Sequence, residues 1–277
     1  MTPGDSEAFH PFHSDQRFMK SLQRRSVSSL ILLAFGCIAA FLPIRAAQIV
    51  YYVDGVSGNN PTRANDLLVR DRMVSLGHTV TTVLDSLGTA ADTVGKDLIV
   101  ISSSIQSGDM ATYATTSLRT LALPIIDYES ALYDELLMGA SGANPVNQMS
   151  LTITLPAHPL AAGLSGTLNV YNSPGTMSNG VAGTLGSDAT VVATLTTGEP
   201  AIFTYNTGNR LSDDTTLAAA RRIGFFYNET GLTPNADGLK LLDATVNYAL
   251  APEPGSAMLL GTGLLGFMLL ASRRRAP

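Results

Sequence analysis

Short apolar runs alternate with helical segments in the first half of this chain, and this alternation limits the fold more than any other feature of the sequence. The apolar runs are rich in β-branched residues, which favour strands, and the segments between them carry apolar residues at helical spacing. Strands this apolar need cover on both faces, which crossover helices provide. The sequence therefore predicts a parallel sheet with right-handed connections. The predicted strands are residues 48–54, 78–84, 97–102 and 123–127, and the predicted helices are residues 63–76 and 109–121.

The second half of the chain has a different pattern. Four short strand-like runs follow one another with Gly, Pro, Asn and Ser between them, which favours antiparallel pairing. Residues 222–227 are predicted as a last core strand and residues 233–249 as a closing helix, with its apolar residues near one stripe. The predicted fold class is α/β: a flavodoxin-like, mostly parallel sheet flanked by helices, with an antiparallel β-rich extension in the second half. The four runs are residues 151–155, 167–171, 190–195 and 201–205.

Five short motifs occur in the order seen in class I glutamine-amidotransferase-like domains. The chain resembles that family, including its trehalose-utilisation (ThuA-like) group. The resemblance implies one amidotransferase-like α/β domain over residues 48–251. The motifs are Tyr52-Val-Asp54, Leu76-Gly-His-Thr-Val80, Lys96-Asp-Leu-Ile-Val-Ile-Ser102, Ala157-His-Pro-Leu-Ala-Ala-Gly-Leu164 and Arg221-Arg-Ile-Gly-Phe-Phe226.

The resemblance also implies that the catalytic residues of the family are missing. In the catalytic amidotransferases a cysteine sits on a tight turn after a core strand, and a later His-x-Glu motif completes a triad. The corresponding turn here, residues 126–130, has no cysteine, and Tyr227 stands where the later motif has histidine, two residues before Glu229. We therefore expect no glutamine hydrolysis by a catalytic cysteine.

Polar residues follow several of the predicted strands. In open α/β sheets, ligands bind outside the carboxyl ends of the strands. Asp54 ends the first predicted strand, Ser57 lies in the loop after it, and Ser103 follows the third predicted strand. These three residues are the predicted ligand contacts.

Four further residues are candidates for catalysis, although none is assigned a role. A serine such as Ser102 becomes nucleophilic when a histidine accepts its proton, and a carboxylate such as Asp127 or Glu129 can orient that histidine. His158 is the histidine candidate, because its loop could face the same sheet edge. The chain has no Gly-x-Ser-x-Gly elbow, and serines after strands commonly cap the next helix. Asp54, Asp127, Glu129 and His158 could supply ligands that suit Ca or Mn, but no ligand spacing identifies a site, so no metal or cofactor is predicted.

Residues 1–47 have the layout of a secretory signal peptide, with basic residues before an apolar stretch at 30–43. A start at Met19 would give the basic region a conventional length. An uncleaved anchor is the alternative interpretation. Cys37, the single cysteine, lies within this segment, so the exported domain is predicted to have no disulfide and no thiolate site.

The last 26 residues contain three parts in order: Pro252-Glu253-Pro254, an uncharged apolar run at 255–271, and Arg273-Arg274-Arg275. As a helix, the run would rise about 1.5 Å per residue and reach roughly 25 Å, enough for a short membrane span. The arginines should stay on the cytoplasmic side. These parts resemble the PEP-CTERM sorting signal, which implies processing by an exosortase, a membrane cysteine peptidase. A plain C-terminal anchor is the alternative.

The part of the chain predicted to be exported is acidic. From Asp54 to Glu253 it has nineteen Asp and Glu against nine Lys and Arg, a net charge of about −10. Nucleic acid is a poor partner for such a surface.

Three functional hypotheses follow. The first is an exported protein of the cell envelope or extracellular matrix, anchored in the membrane by its C-terminal helix before sorting. Its partners would be the secretion machinery and the exosortase, and its non-catalytic domain would bind exopolysaccharide or a small ligand. The second is an extracellular hydrolase of carbohydrates or esters that uses His158. The third is a purely structural matrix protein.

Overall fold

The computed structural model describes residues 46–253. The first 45 residues of the predicted signal peptide lie outside this range, as do Pro254, the apolar run and Arg273–Arg275. No helix within residues 46–253 is long and apolar enough to cross a membrane.

A nine-stranded sheet forms the centre of the described region. Its strand order is β4-β1-β5-β6-β11-β10-β9-β7-β8. The first five strands in this order pair in parallel. The remaining four, β10, β9, β7 and β8, extend the sheet through antiparallel pairs. Strands β2 and β3 form a separate hairpin. This architecture confirms the predicted α/β class with its antiparallel extension. The strands are β1 Gln48–Val53, β2 Val56–Ser57, β3 Asn60–Pro61, β4 Thr79–Leu84, β5 Leu98–Ile101, β6 Ile125–Asp127, β7 Ser150–Ile153, β8 Gly166–Asn169, β9 Thr190–Leu195, β10 Pro200–Tyr205 and β11 Arg222–Phe225.

Alternate residues of the parallel strands face two separate apolar cores, because successive side chains of a strand point to opposite faces. Tyr51 and Val100 belong to the core that includes residues of α1 and α3, whereas Tyr52 and Ile101 belong to the core that includes residues of α2. Burial on both faces explains why these strands are continuous apolar runs. The helices are α1 Ala64–Ser75, α2 Ser107–Thr116 and α3 Ala236–Leu250.

The antiparallel extension joins the parallel strands through the pair β10–β11. Gly224 of β11 lies opposite Phe203 of β10, and a Cβ at Gly224 would overlap the ring of Phe203. A glycine in the interior of this strand therefore allows a large aromatic ring to lie over the backbone.

Arg222, at the amino end of β11, is fully buried and contacts backbone carbonyls. Its Nη1 donates to Leu123 O at 2.9 Å and its Nη2 to Leu121 O at 2.8 Å. Burial lowers its pKa to about 10, so the guanidinium stays charged at neutral pH. Through these hydrogen bonds the side chain connects β11 to the segment that precedes β6 in the sequence. Further carbonyl acceptors are those of Leu118, Arg119, Ala220 and Arg221.

Candidate functional site

The carboxyl ends of the five parallel strands lie at one edge of the sheet, and polar residues follow four of them, β1, β5, β6 and β11. The order β4-β1-β5-β6-β11 is the 2-1-3-4-5 order of flavodoxin-like folds, in which ligands bind where the chain connections diverge, beside β1 and β5. Five polar residues from the strand ends and from the start of α1 gather there; we name this group the carboxyl-edge cluster. Its members are Asp54, Arg63, Ser103, Glu129 and Glu229.

Arg63 links two of the carboxylates. Its guanidinium pairs with Asp54 and, at 3.3 Å between Nη1 and Oε2, with Glu229. Ser103 Oγ accepts a hydrogen bond of 2.6 Å from the backbone N of Glu229, and the Asn65 amide donates to the Glu229 carbonyl. The loop after β11 is thus tied to both β5 and α1. The Arg63 side chain is 39% exposed, so a ligand in solvent can reach these charges.

Glu129 follows β6 and has an altered acidity. Its pKa is raised to about 7: burial is the main cause, a hydrogen bond of 2.9 Å from Ala131 N to Oε1 opposes the shift, and the charge of Glu229 adds to it. At neutral pH the carboxyl group is therefore present in both its protonated and its ionised form. It can donate a hydrogen bond to a ligand or accept one.

Asp127 lies directly behind Glu129 and is fully buried. Burial raises its pKa well above the usual range, although its Oδ1 accepts a hydrogen bond of 2.9 Å from Glu129 N. Through this hydrogen bond the carboxyl group supports the backbone of Glu129. Its position beneath the surface does not favour direct contact with a ligand.

Ser102 forms a second, buried polar group with a carboxylate of α1. Its Oγ donates to Asp66 Oδ1 at 2.5 Å, and Tyr51 OH donates to the same oxygen at 3.1 Å. Ser102 Oγ also accepts a 3.1 Å hydrogen bond from Ser104 N. The adjoining cavity, partly lined by Tyr128, has a volume of about 10 Å³, room for about one water molecule. This arrangement holds Ser102 by a buried carboxylate and gives it no histidine partner.

His158 lies at the opposite end of the parallel strands. Its ring packs edge-on against Tyr248 in the last turn of α3, at 5.1 Å between centroids, and burial and the nearby charge of Arg221 lower its pKa. Arg221 directly precedes β11, so this is the amino end of the strands, away from Asp127. The expectation that the His158 loop faces the carboxyl ends is wrong, because the turn at Pro159–Ala161 packs against α3.

The remaining predicted residues divide between the cluster and its surroundings. Asp54 and Ser103 are connected through Arg63 and Glu229, and Glu129 lies near enough to Glu229 for that charge to raise its pKa. Ser57 lies exposed on the β2–β3 hairpin, and no described hydrogen bond of its side chain connects it to the cluster. Within residues 46–253, no three or more His, Cys, Asp or Glu side chains form a group that could hold a metal ion.

Sequence reasoning missed Arg63 and Asp66. Both lie at the start of α1, and their partners are far away in sequence, at Glu229 and Ser102. The available signal was weak: a charged pair at the start of a helix that follows a strand with a polar end. Tyr227, at the position that the resemblance assigns to histidine, is buried and donates to the Gly238 carbonyl at 2.8 Å.

The strand order and the polar edge define an open α/β protein of the flavodoxin-like class. Comparison with solved structures specifies a ThuA-like fold. The crystal structure of a protein described as ThuA-like, from Bacteroides uniformis, matches this one with a TM-score of 0.51 and 9% sequence identity. The match covers 78% of this chain and 96% of that chain. The crystal structure of a protein designated SMU.1228c matches with a TM-score of 0.41 at 11% identity, covering 73% of this chain and 97% of that one. No protein-family model and no curated protein matches the sequence. The likeness to the first of these structures shows the fold alone.

Proposed function

We propose that this protein is exported, sorted by an exosortase through its C-terminal signal, and retained as a surface or matrix protein whose ThuA-like domain binds a ligand without catalysis. Export and sorting rest on the sequences at the two ends of the chain. The binding role rests on one structural observation, the carboxyl-edge cluster at the sheet edge where flavodoxin-like folds take their ligands.

The chemistry of the cluster suits a neutral ligand rich in hydroxyl groups, such as a segment of polysaccharide. Arg63 presents several N–H donors, Asp54 and Glu229 present acceptors, and Glu129 can act as either because its pKa is about 7. A sugar hydroxyl both donates and accepts, so it can match any of these groups. The net charge of about −10 from Asp54 to Glu253 opposes an anionic polymer.

The hydrolase hypothesis loses support from the positions of its residues. A nucleophilic serine needs a base within hydrogen-bond reach. Ser102 is bonded to Asp66, while His158 lies at the other end of the strands beside Tyr248. The geometry therefore favours binding over hydrolysis.

Ligand-dependent stabilisation tests the binding role. The full-length protein in detergent is heated with a panel of neutral polysaccharides and with anionic polymers of similar length. A ligand at 100 times its Kd should raise the free energy of unfolding by about 2.7 kcal/mol. Arg63→Ala should abolish the shift, whereas Arg70→Ala should keep it, because Arg70 lies on the same helix but contacts Asn60 and Asp71. No shift with any polysaccharide, or an equal shift in Arg63→Ala, would contradict the binding role.

Tail processing tests the sorting role. In a host that carries an exosortase, intact mass should show that the exported protein has lost the residues after the Pro-Glu-Pro motif. Replacing Pro252, Glu253 and Pro254 together by alanine should leave the tail attached and the protein in the membrane fraction. Ser256→Ala, just beyond the motif, is the matched control and should be processed normally. Equal processing of the triple variant would argue for a plain membrane anchor.

A further inference from the structure

The middle residue of the Pro-Glu-Pro motif is bound by the domain that precedes it. The Glu253 carboxylate accepts hydrogen bonds from Thr207, at 2.6 Å from Oγ1 and 3.1 Å from the backbone N. Its Oε1 also lies 3.7 Å from Arg221 Nε. The linker after α3 therefore lies against the domain surface at Glu253.

Arg221 holds the same linker at a second point. Its Nη1 donates to Ala251 O at 2.6 Å and to the Tyr248 carbonyl, and its guanidinium lies over the Tyr248 ring at 4.2 Å. Asn206 Oδ1 accepts from Tyr248 OH at 2.8 Å and from Arg221 Nε at 3.3 Å. We call these four contacting residues, Asn206, Thr207, Arg221 and Tyr248, the linker clamp.

The burial of Arg221 distinguishes its contact with Glu253 from an ordinary surface ion pair, whereas the Thr207 contacts lie at the surface. The side chain of Arg221 is 3% exposed and that of Glu253 is 21% exposed, so solvent screens their attraction weakly. Hydrogen bonds to a carboxylate are stronger than those to a neutral acceptor. A cation at the carbonyl end of a helix is favourable as well, which stabilises Arg221 beside the end of α3. These contacts together stabilise the bound position of the linker.

We infer that the linker clamp is an autoinhibitory contact, in which the folded domain withholds Glu253 until the linker is released. The inference rests on the proposed sorting of the tail. In this proposal the peptidase contacts the Glu253 carboxylate when it recognises the motif, and that carboxylate cannot bind Thr207 at the same time. The apparent affinity of the peptidase for the motif is then reduced by the fraction of molecules with a released linker. The domain thereby sets the rate of its own processing.

Amide exchange tests the clamp without any peptidase. In the full-length protein in detergent, Glu253→Ala should increase hydrogen exchange at the Thr207 amide about tenfold, since that N–H loses a charged acceptor. Glu199→Ala is the matched control, because it removes a similar contact between a carboxylate and Thr197 at a distant turn. Unchanged exchange at Thr207 in Glu253→Ala would overturn the inference.

The rate of tail removal in cells tests the regulatory effect. Thr207 is exposed, so substitutions there leave the core intact. Thr207→Val and, more strongly, Thr207→Asp should speed tail removal several-fold, whereas Thr207→Ser should match the natural rate because it keeps the hydroxyl donor. Normal processing at equal rates in all variants would overturn the inference alone. Absence of processing even in the unaltered protein would overturn the proposed sorting and the inference with it.

Discussion

The acidity of one side chain, Glu129, connects the stability of the domain to its candidate site. Burial favours the protonated form of this carboxyl group and raises its pKa from 4.5 to about 7. In the unfolded chain the same group ionises at lower pH. Between about pH 4.5 and 7 the folded state therefore binds more protons than the unfolded state, and this group makes the protein less stable as the pH rises.

Glu129→Gln should remove this pH dependence. The expected contribution at pH 8 is about 3 kcal/mol, because the pKa rises from 4.5 to about 7 and each pKa unit corresponds to about 1.4 kcal/mol. Urea unfolding at pH 5 and pH 8 checks it: the variant should gain stability relative to the unaltered protein at pH 8 and gain little at pH 5. Asp109→Asn changes an exposed carboxyl group on α2 and serves as the control. A stability difference that is the same at both pH values would show that Glu129 titrates alike in the folded and unfolded states.

At the scale of single elements, the sequence predicted those strands and helices whose formation depends on residues close to each other along the chain. Strands β1 and β5 are apolar runs buried on both faces, and that pattern is visible in the sequence. α2 ends at Thr116, five residues before the predicted end, and a 3-10 turn at Leu118–Thr120 follows it. The apolar spacing continues through both segments, so periodicity alone could not separate them.

The site was predictable only in part, for a related reason. Asp54, Ser103 and Glu129 follow parallel strands, and parallel strands bring their carboxyl ends to one edge whatever the details of packing. The position of His158 was predicted wrongly, because it depends on how a short turn packs against α3. No local sequence pattern indicates that packing. Arg63 joins the site by pairing with Glu229, which lies in the loop after β11, more than 160 residues later in the sequence. No local pattern could predict that contact.

Arg222 joins two elements, and its removal should separate them. Arg222→Met fills most of the same volume but leaves buried carbonyls around Leu121 and Leu123 without their donor. We expect a loss of at least about 3 kcal/mol in the free energy of unfolding. Chemical denaturation measures it, with Arg210→Met as the control, since Arg210 is exposed and should change stability by less than about 0.5 kcal/mol. Equal effects of the two substitutions would mean that the carbonyls find other partners.

At the scale of the whole molecule, the assignment of the fold and the proposal of a function rest on different observations. The ThuA-like fold is shared with a solved structure at 9% identity, a level at which side chains of a site are free to differ. Function here is inferred from the carboxyl-edge cluster and from the two ends of the sequence.

The strand order determines how early this domain can fold while its chain is still emerging. β11 is the middle strand of the nine, yet it is the last strand in the sequence, and it pairs with β6, whose residues precede it by 97 positions. Contacts between such distant segments form late, because a long loop must close first. Until residue 225 has emerged, the growing chain has two half-sheets without the strand that joins them. For the export proposed above, in which the chain would cross a membrane as an extended polymer, such a delay is an advantage, since the topology postpones folding until nearly the whole domain has passed through.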